Sequence, residues 1–128
     1  VVAEVPFVDV VTTMSDPSIP LTVTEWEEWG DPRTEPMASY MLGYSPYDNT
    51  VARDYPAIYI TAGLNDPRVS YHEPAKWIAK LRAVRTNDAT LMMRCEMGAG
   101  HGGPSGRYEV WRDEARTIAF ILAETAQP

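Results

Sequence analysis

The chain has 128 residues, enough for one hydrophobic core but too few for two ordinary domains. Hydrophobic residues make up 45% and charged residues 23% of it, which is typical of a globular protein and excludes a disordered tail. The net charge of −7 argues against a nucleic-acid binder, which needs Lys and Arg to neutralise phosphates. Because the longest apolar segments are short, we also expect no membrane-spanning helix.

Three short apolar segments predict β-strands, at residues 1–5, 57–61 and 91–95. They lack a strict alternation of polar and apolar residues, which indicates strands covered on both faces of a parallel sheet. The sequence therefore predicts an α/β fold with about three parallel strands. The first strand offers an apolar edge. We expect a further strand to pair with it, supplied by a missing N-terminal part of the same protein or by a complementing chain.

A long insertion, residues 7–54, separates the first two predicted strands. It is rich in Pro, Asp, Trp and Tyr and predicts short helices, including one over residues 37–42. Insertions of this length more often carry binding surface than packing alone.

Two flanking helices are predicted after the second and third strands. Residues 70–73 form a capping-box pattern, in which the Ser70 hydroxyl and the Glu73 carboxylate satisfy the first backbone amides. The first helix then continues with apolar residues at helical spacing: Trp77, Ile78, Leu81 and Val84. A similar series predicts the C-terminal helix: Trp111, Ala115, Ile118, Ala119 and Leu122. The later part of the chain therefore predicts a βαβα unit with a right-handed crossover.

Asp66 follows the second predicted strand, and His101 follows the third. The carboxyl ends of parallel strands meet at one edge of a sheet, so we expect these side chains to lie within hydrogen-bonding distance. An acid followed by a histidine matches the last two members of the Ser–Asp–His order of α/β-hydrolases. Taken singly, Asp66 also fits an Asx turn before Pro67, and His101 fits an exposed histidine in a Gly-rich turn.

No serine of this chain has the sequence context of a nucleophile. Ser105 lacks the G-x-S-x-G pattern and does not follow a strand. Cys95 is the single cysteine and lies in an apolar segment, which favours a buried, unreactive thiol. We expect a reducing, cytoplasmic setting. The sequence contains neither a zinc-ligand spacing nor a phosphate-binding loop, so we expect no metal and no cofactor.

Several motifs resemble a known family. They lie at residues 5–14, 19–22, 25–30, 44–49, 73–77 and 98–103. Together they cover nearly the whole chain and resemble oligopeptidase B, a serine peptidase family of the prolyl oligopeptidase group. The resemblance implies that residues 1–128 are the C-terminal part of an α/β-hydrolase domain. The whole enzyme would have a gating β-propeller and cleave short peptides after Arg or Lys. The propeller and the nucleophile-bearing part of the domain are absent from this sequence, so we expect negligible peptidase activity from the chain alone.

By motif match, the resemblance assigns the triad acid to Asp66 and the triad base to His101. It assigns contact with the peptide backbone to Arg68. It assigns Glu25 and Glu27 to binding the basic side chain of the P1 residue, which precedes the cleaved bond. A basic oligopeptide is therefore the expected substrate. Without the resemblance, these two glutamates fit a solvated acidic helix start.

Two other functions stay open. A truncated or split product could act as a non-catalytic binding or assembly module. The second is a prolyl- or acylaminoacyl-directed peptidase of the same group. Glu25 and Glu27 argue against it, because a carboxylate suits an apolar P1 residue poorly.

Overall fold

The computed structural model describes residues 1–126. Three parallel strands form one sheet in the order β1 (Val2–Glu4), β2 (Ile58–Gly63) and β3 (Leu91–Glu96). Each strand begins or ends within two residues of its predicted position. The predicted α/β fold with three parallel strands is therefore confirmed.

Three helices occupy the insertion between β1 and β2: α1 (Val10–Ser15), α2 (Thr22–Trp29) and α3 (Met37–Tyr44). Val10, Met14 and Met41 are buried against one another and form a small apolar core. Trp26 packs on this core, and its Nε1 donates a hydrogen bond to the Met14 carbonyl oxygen at 2.9 Å. The insertion is thus a packed unit, and the helix expected at 37–42 is present as α3.

Two helices cover the two faces of the sheet, α4 (His72–Val84) and α5 (Arg107–Thr125). On one face, buried residues of β2 and α4 form the main core: Ile58, Ile60, Ile78 and Leu81. Tyr59 points to the opposite face, because side chains alternate along a strand. It packs on Phe120 of α5 with ring centroids 5.4 Å apart. Burial on both faces explains why the strands lack polar alternation.

The start of α4 differs from the predicted capping box. The Ser70 hydroxyl contacts His72 Nδ1 at 2.6 Å, and within residues 1–126 no side-chain hydrogen bond caps this helix. Glu73 is 1% exposed, and its carboxylate binds the start of the insertion instead. The capping-box prediction is wrong because a contact between distant segments uses the carboxylate that the local pattern assigns to the helix start.

The apolar series that predicts α5 lies on an exposed side of that helix. Trp111 is 53%, Ile118 55% and Leu122 61% exposed, whereas the buried residue of α5 is Phe120. Cys95 is partly exposed, so the expectation of a buried thiol is wrong. Cys95 lies near the end of β3 and is not part of the main core, which buries Leu91 at the start of the strand. Among the described residues, we find no helix both long and apolar enough to cross a membrane.

Candidate active site

The loops that follow β2 and β3 are held against each other by backbone hydrogen bonds. The amide of Leu64 donates to the Glu96 carbonyl oxygen at 2.9 Å, and the amide of Asn65 donates to the Ala99 carbonyl oxygen at 3.1 Å. Glycine is needed at position 63, since a Cβ there would lie 2.5 Å from the Gly100 carbonyl oxygen. The two loops therefore present their side chains to a common site.

Asp66 and His101, one from each loop, are in direct contact. Nδ1 of His101 lies 2.8 Å from Oδ2 of Asp66, as the positions at the two strand ends predicted. A carboxylate only accepts hydrogen bonds, so Nδ1 carries the proton and Nε2 is left as the basic nitrogen. The imidazole is 37% exposed, and within residues 1–126 Nε2 has no hydrogen-bond partner.

The Asp66 carboxylate is held as an anion. Its side chain is fully buried, and Oδ1 accepts hydrogen bonds from the amides of Arg68 at 2.8 Å and Val69 at 3.0 Å. Burial alone would raise the pKa of Asp66, but the two amides and then His101 outweigh burial and lower the pKa below its ordinary value. The Asx-type turn and the histidine contact are thus both present, on different carboxylate oxygens.

His101 borders two cavities. The smaller one, of about 250 Å³, lies between the insertion and the loop after β2, and Glu25, Arg68 and His101 all line it. Phe7 and Trp29 form an aromatic wall of the same cavity, edge to face with ring centroids 5.6 Å apart. This cavity therefore combines a carboxylate, a guanidinium, two aromatic rings and the imidazole.

The larger cavity, of about 600 Å³, lies on the side of His101 that faces α5. Arg94 lines it and pairs with Glu96 and with Asp113, the latter at 2.9 Å. The pair with Asp113 joins β3 to α5 and holds the helix against the end of the sheet, whereas the pair with Glu96 lies within β3. Within residues 1–126, no group of three His, Cys, Asp or Glu side chains is placed to hold a metal ion.

Three of the five predicted site residues line the smaller cavity: Glu25, Arg68 and His101. Asp66 lies behind His101 and contacts it, and Glu27 is the one that the structure does not bring to this site. Glu25 lies in the first turn of α2, and residues two positions apart point to different sides of a helix. Glu27 is accordingly exposed. The substrate-binding roles of Glu25, Glu27 and Arg68 and the catalytic roles of Asp66 and His101 stay predictions.

The aromatic wall of the smaller cavity was not predicted from the sequence. Trp29 lies four residues after Glu25, a spacing that places two residues on the same side of a helix. That spacing identifies Trp29 once α2 is recognised as a helix. Phe7 follows the end of β1, and it carries no local signal beyond that position.

A parallel sheet with an acid and a histidine on adjacent carboxyl-end loops matches part of the α/β-hydrolase fold. The model of the prolyl oligopeptidase family matches residues 1–127, and the chain belongs to this family. Within the family it is similar to oligopeptidase B, which confirms the resemblance drawn from the sequence motifs.

Three relatives support this placement. The chain is 62% identical over 122 residues to Protease 2 of Moraxella lacunata, a match that covers 95% of this chain and 18% of that protein. It is 52% identical over 118 residues to dipeptidyl aminopeptidase BI of Pseudoxanthomonas mexicana, covering 92% and 16%. The fold matches oligopeptidase B from Leishmania major with a TM-score of 0.94 and 50% identity, covering 96% and 17%. The chain thus spans less than a fifth of the length of these relatives.

Proposed function

We propose that this chain supplies the acid, the base and part of the substrate pocket of a serine peptidase that cleaves short peptides after Arg or Lys. The contact between His101 and Asp66 beside a cavity lined by Glu25 carries this proposal. The anionic Asp66 keeps the Nδ1 proton in place, so Nε2 can take the proton of a nucleophilic serine and return it to the leaving amine. The serine would come from a part that the relatives have and this chain lacks, and we expect the chain alone to be inactive.

The smaller cavity suits a basic P1 side chain. Glu25 offers a charge-assisted hydrogen bond to a guanidinium or ammonium group, and the rings of Phe7 and Trp29 offer faces for cation–π contact. The guanidinium of Arg68 lies at the same cavity and can donate to a peptide carbonyl oxygen. Glu27 is exposed outside this cavity and would act on a cationic substrate only through weaker, solvent-screened attraction.

The remainder of such an enzyme is the partner that we propose for two uncovered surfaces. The first is the outer edge of β1, where the amides and carbonyls of alternate residues point away from β2. The second is the exposed apolar side of α5 with Trp111, Ile118 and Leu122. Either the rest of the same protein or a complementing chain would cover them. A cytoplasmic location is also part of the proposal, supported by a sequence with one cysteine.

The proposal is tested in a completed enzyme, in which this chain replaces the matching 17% of the Leishmania major protein. The measured quantity is kcat/KM for dipeptide amides that end in Arg or in Pro. We expect a preference for Arg of roughly 100-fold, because a pocket carboxylate is paired by Arg and left unpaired by Pro. Equal or faster cleavage after Pro would contradict the specificity.

Two glutamate variants form a matched pair for the pocket. Glu25→Gln should lower kcat/KM for the Arg substrate roughly 10- to 100-fold, since a hydrogen bond to a charged group is lost. Glu27→Gln, on the same helix but outside the cavity, should lower it less than about threefold. Equal effects of the two variants would contradict the assignment of Glu25 as the principal P1 carboxylate.

A peptidase that removes dipeptides is a second candidate, because one relative at 52% identity is named a dipeptidyl aminopeptidase. Substrates with free and with blocked amino termini separate the two functions. Cleavage of blocked peptides supports the oligopeptidase, whereas a requirement for a free amino group supports the dipeptidyl aminopeptidase.

A further inference from the structure

A buried carboxylate links helix α4 to the start of the insertion. Oε2 of Glu73 accepts hydrogen bonds from the amides of Asp9 at 3.1 Å and Val8 at 3.3 Å, and Oε1 accepts one from Thr13 Oγ1 at 2.6 Å. These partners precede Glu73 by 60 to 65 residues. The catalytic role proposed for Asp66 and His101 does not explain why an acid is buried here.

The link continues from Thr13 to the helix that carries Glu25. Thr22 is the first residue of α2 and is 2% exposed, and its hydroxyl donates to the Thr13 carbonyl oxygen at 3.4 Å. Glu25 follows within the first turn of α2. Thr13 therefore holds Glu73 with its side chain and the start of α2 with its backbone.

The opposite end of the link lies next to the catalytic acid. Helix α4 begins at His72, directly after the loop that contains Asp66 and Arg68. Lys76, one turn after Glu73, pairs with the buried Asp9 and forms a second link to the same part of the insertion. A shift of the insertion along α4 would break both contacts.

The Glu73 carboxylate is costly to bury, but it satisfies several partners. Burial raises the pKa of Glu73, and its hydrogen bonds from Thr13 and the two amides offset this only in part. An apolar residue at this position would leave the amides of Val8 and Asp9 without their hydrogen-bond acceptor. The acid therefore fixes the start of the insertion against α4.

We propose that Glu73 and Thr13 are positioning residues for substrate specificity, which fix Glu25 on α2 relative to the loop that carries Asp66 and Arg68. The inference rests on the proposed function, because it concerns selectivity at the same cavity. Charged hydrogen bonds depend steeply on geometry, so a displacement of about 1 Å across the cavity weakens binding of a basic P1 side chain.

Thr13→Val tests the link with little change of shape. Thr13 also lines the smaller cavity, so Glu73→Gln, at a residue outside both cavities, is measured beside it and separates loss of the link from loss of a direct substrate contact. The insertion also offers a control for general loosening. Thr50 also lies in the insertion and is 6% exposed, as Thr13 is. Its hydroxyl donates to the Pro46 carbonyl oxygen and accepts from Trp77 Nε1, so it connects the insertion to α4 without reaching α2. The variants are made in the completed enzyme, and kcat and KM are measured for amide substrates with Arg or Gln at P1.

Thr13→Val should lower the Arg-to-Gln ratio of kcat/KM about five- to tenfold, mainly through a higher KM for Arg, because one hydrogen bond of the link is lost. Thr13→Ser, which keeps the hydroxyl, should restore the ratio to within about twofold of the parent. Thr50→Val should leave the ratio within about twofold of the parent, even if it lowers the melting temperature as much as Thr13→Val does. Glu73→Gln should lower the same ratio about threefold or more, and it tests the link on its own if Thr13→Val does not fold.

An unchanged ratio in folded Thr13→Val or in folded Glu73→Gln would overturn the inference. An equal fall in Thr50→Val would also overturn it, since general loosening would then explain the effect. Failure of the parent completed enzyme to cleave after Arg would instead refute the proposed function, so the two failures are distinguishable.

Discussion

Replacing Asp66 with Asn would change the protonation of His101 while keeping the shape of the site. The Asn oxygen can take the place of Oδ1 and accept from the amides of Arg68 and Val69, now 2.8 and 3.0 Å from Asp66. The new NH₂ group then faces His101 Nδ1 at the 2.8 Å position of the present contact. Two donors cannot bond, so the imidazole must carry its proton on Nε2, where the serine proton has to be received.

A histidine in the wrong tautomer costs on the order of 10⁴ in kcat. This corresponds to about 5.5 kcal/mol of activation free energy. The free energy of unfolding should change by roughly 1 kcal/mol, because both amide hydrogen bonds are kept. The assay is kcat for an Arg amide in the completed enzyme, together with a thermal melt.

Asp48→Asn is the control for Asp66→Asn, because Asp48 accepts a hydrogen bond from the Ser45 hydroxyl at 2.6 Å and lines neither cavity. It should leave kcat within about twofold of the parent. A folded Asp66→Asn enzyme that loses less than about tenfold in kcat would refute the orienting role of this carboxylate.

Two further predictions concern stability. The raised pKa of Glu73 means that, from 4.5 up to that pKa, the folded state binds more protons than the unfolded state, so stability falls as pH rises. Glu73→Gln should remove this slope in urea unfolding of the completed enzyme across that window, and an unchanged slope would show that another group causes it. Gly63→Ala should lower the free energy of unfolding by about 2 kcal/mol, because its Cβ meets the Gly100 carbonyl oxygen at 2.5 Å. Gly102→Ala, where a Cβ meets open space, is its control, and equal melting temperatures would contradict the close approach.

The sheet and the Asp66–His101 contact could be predicted because both depend on local patterns. Apolar segments identify the strands, and parallel strands bring the loops at their carboxyl ends together. The sequence also shows that each loop holds one chemically suited residue. Whether Asp66 and His101 act in catalysis is a separate prediction, which the variants test.

The position of Glu73 could not be predicted from its neighbours. The capping box considers a few adjacent residues, whereas the amides that Glu73 binds belong to a segment more than 60 residues earlier. Helical spacing likewise predicts that α5 exists but not which residues cover its apolar side. For Glu25 and Glu27, the sequence motif gave both residues one role, and the helical period of α2 separates them.

The proton-transfer role of His101 is tested most directly by replacing it with Ala in the completed enzyme. The kcat for the Arg amide should fall at least roughly 10²-fold, because the group that takes the serine proton is lost. His72→Ala is the matched control, since this exposed histidine contacts Ser70 and lines neither cavity. A loss of less than about tenfold in a folded His101→Ala enzyme would contradict general-base catalysis by this residue.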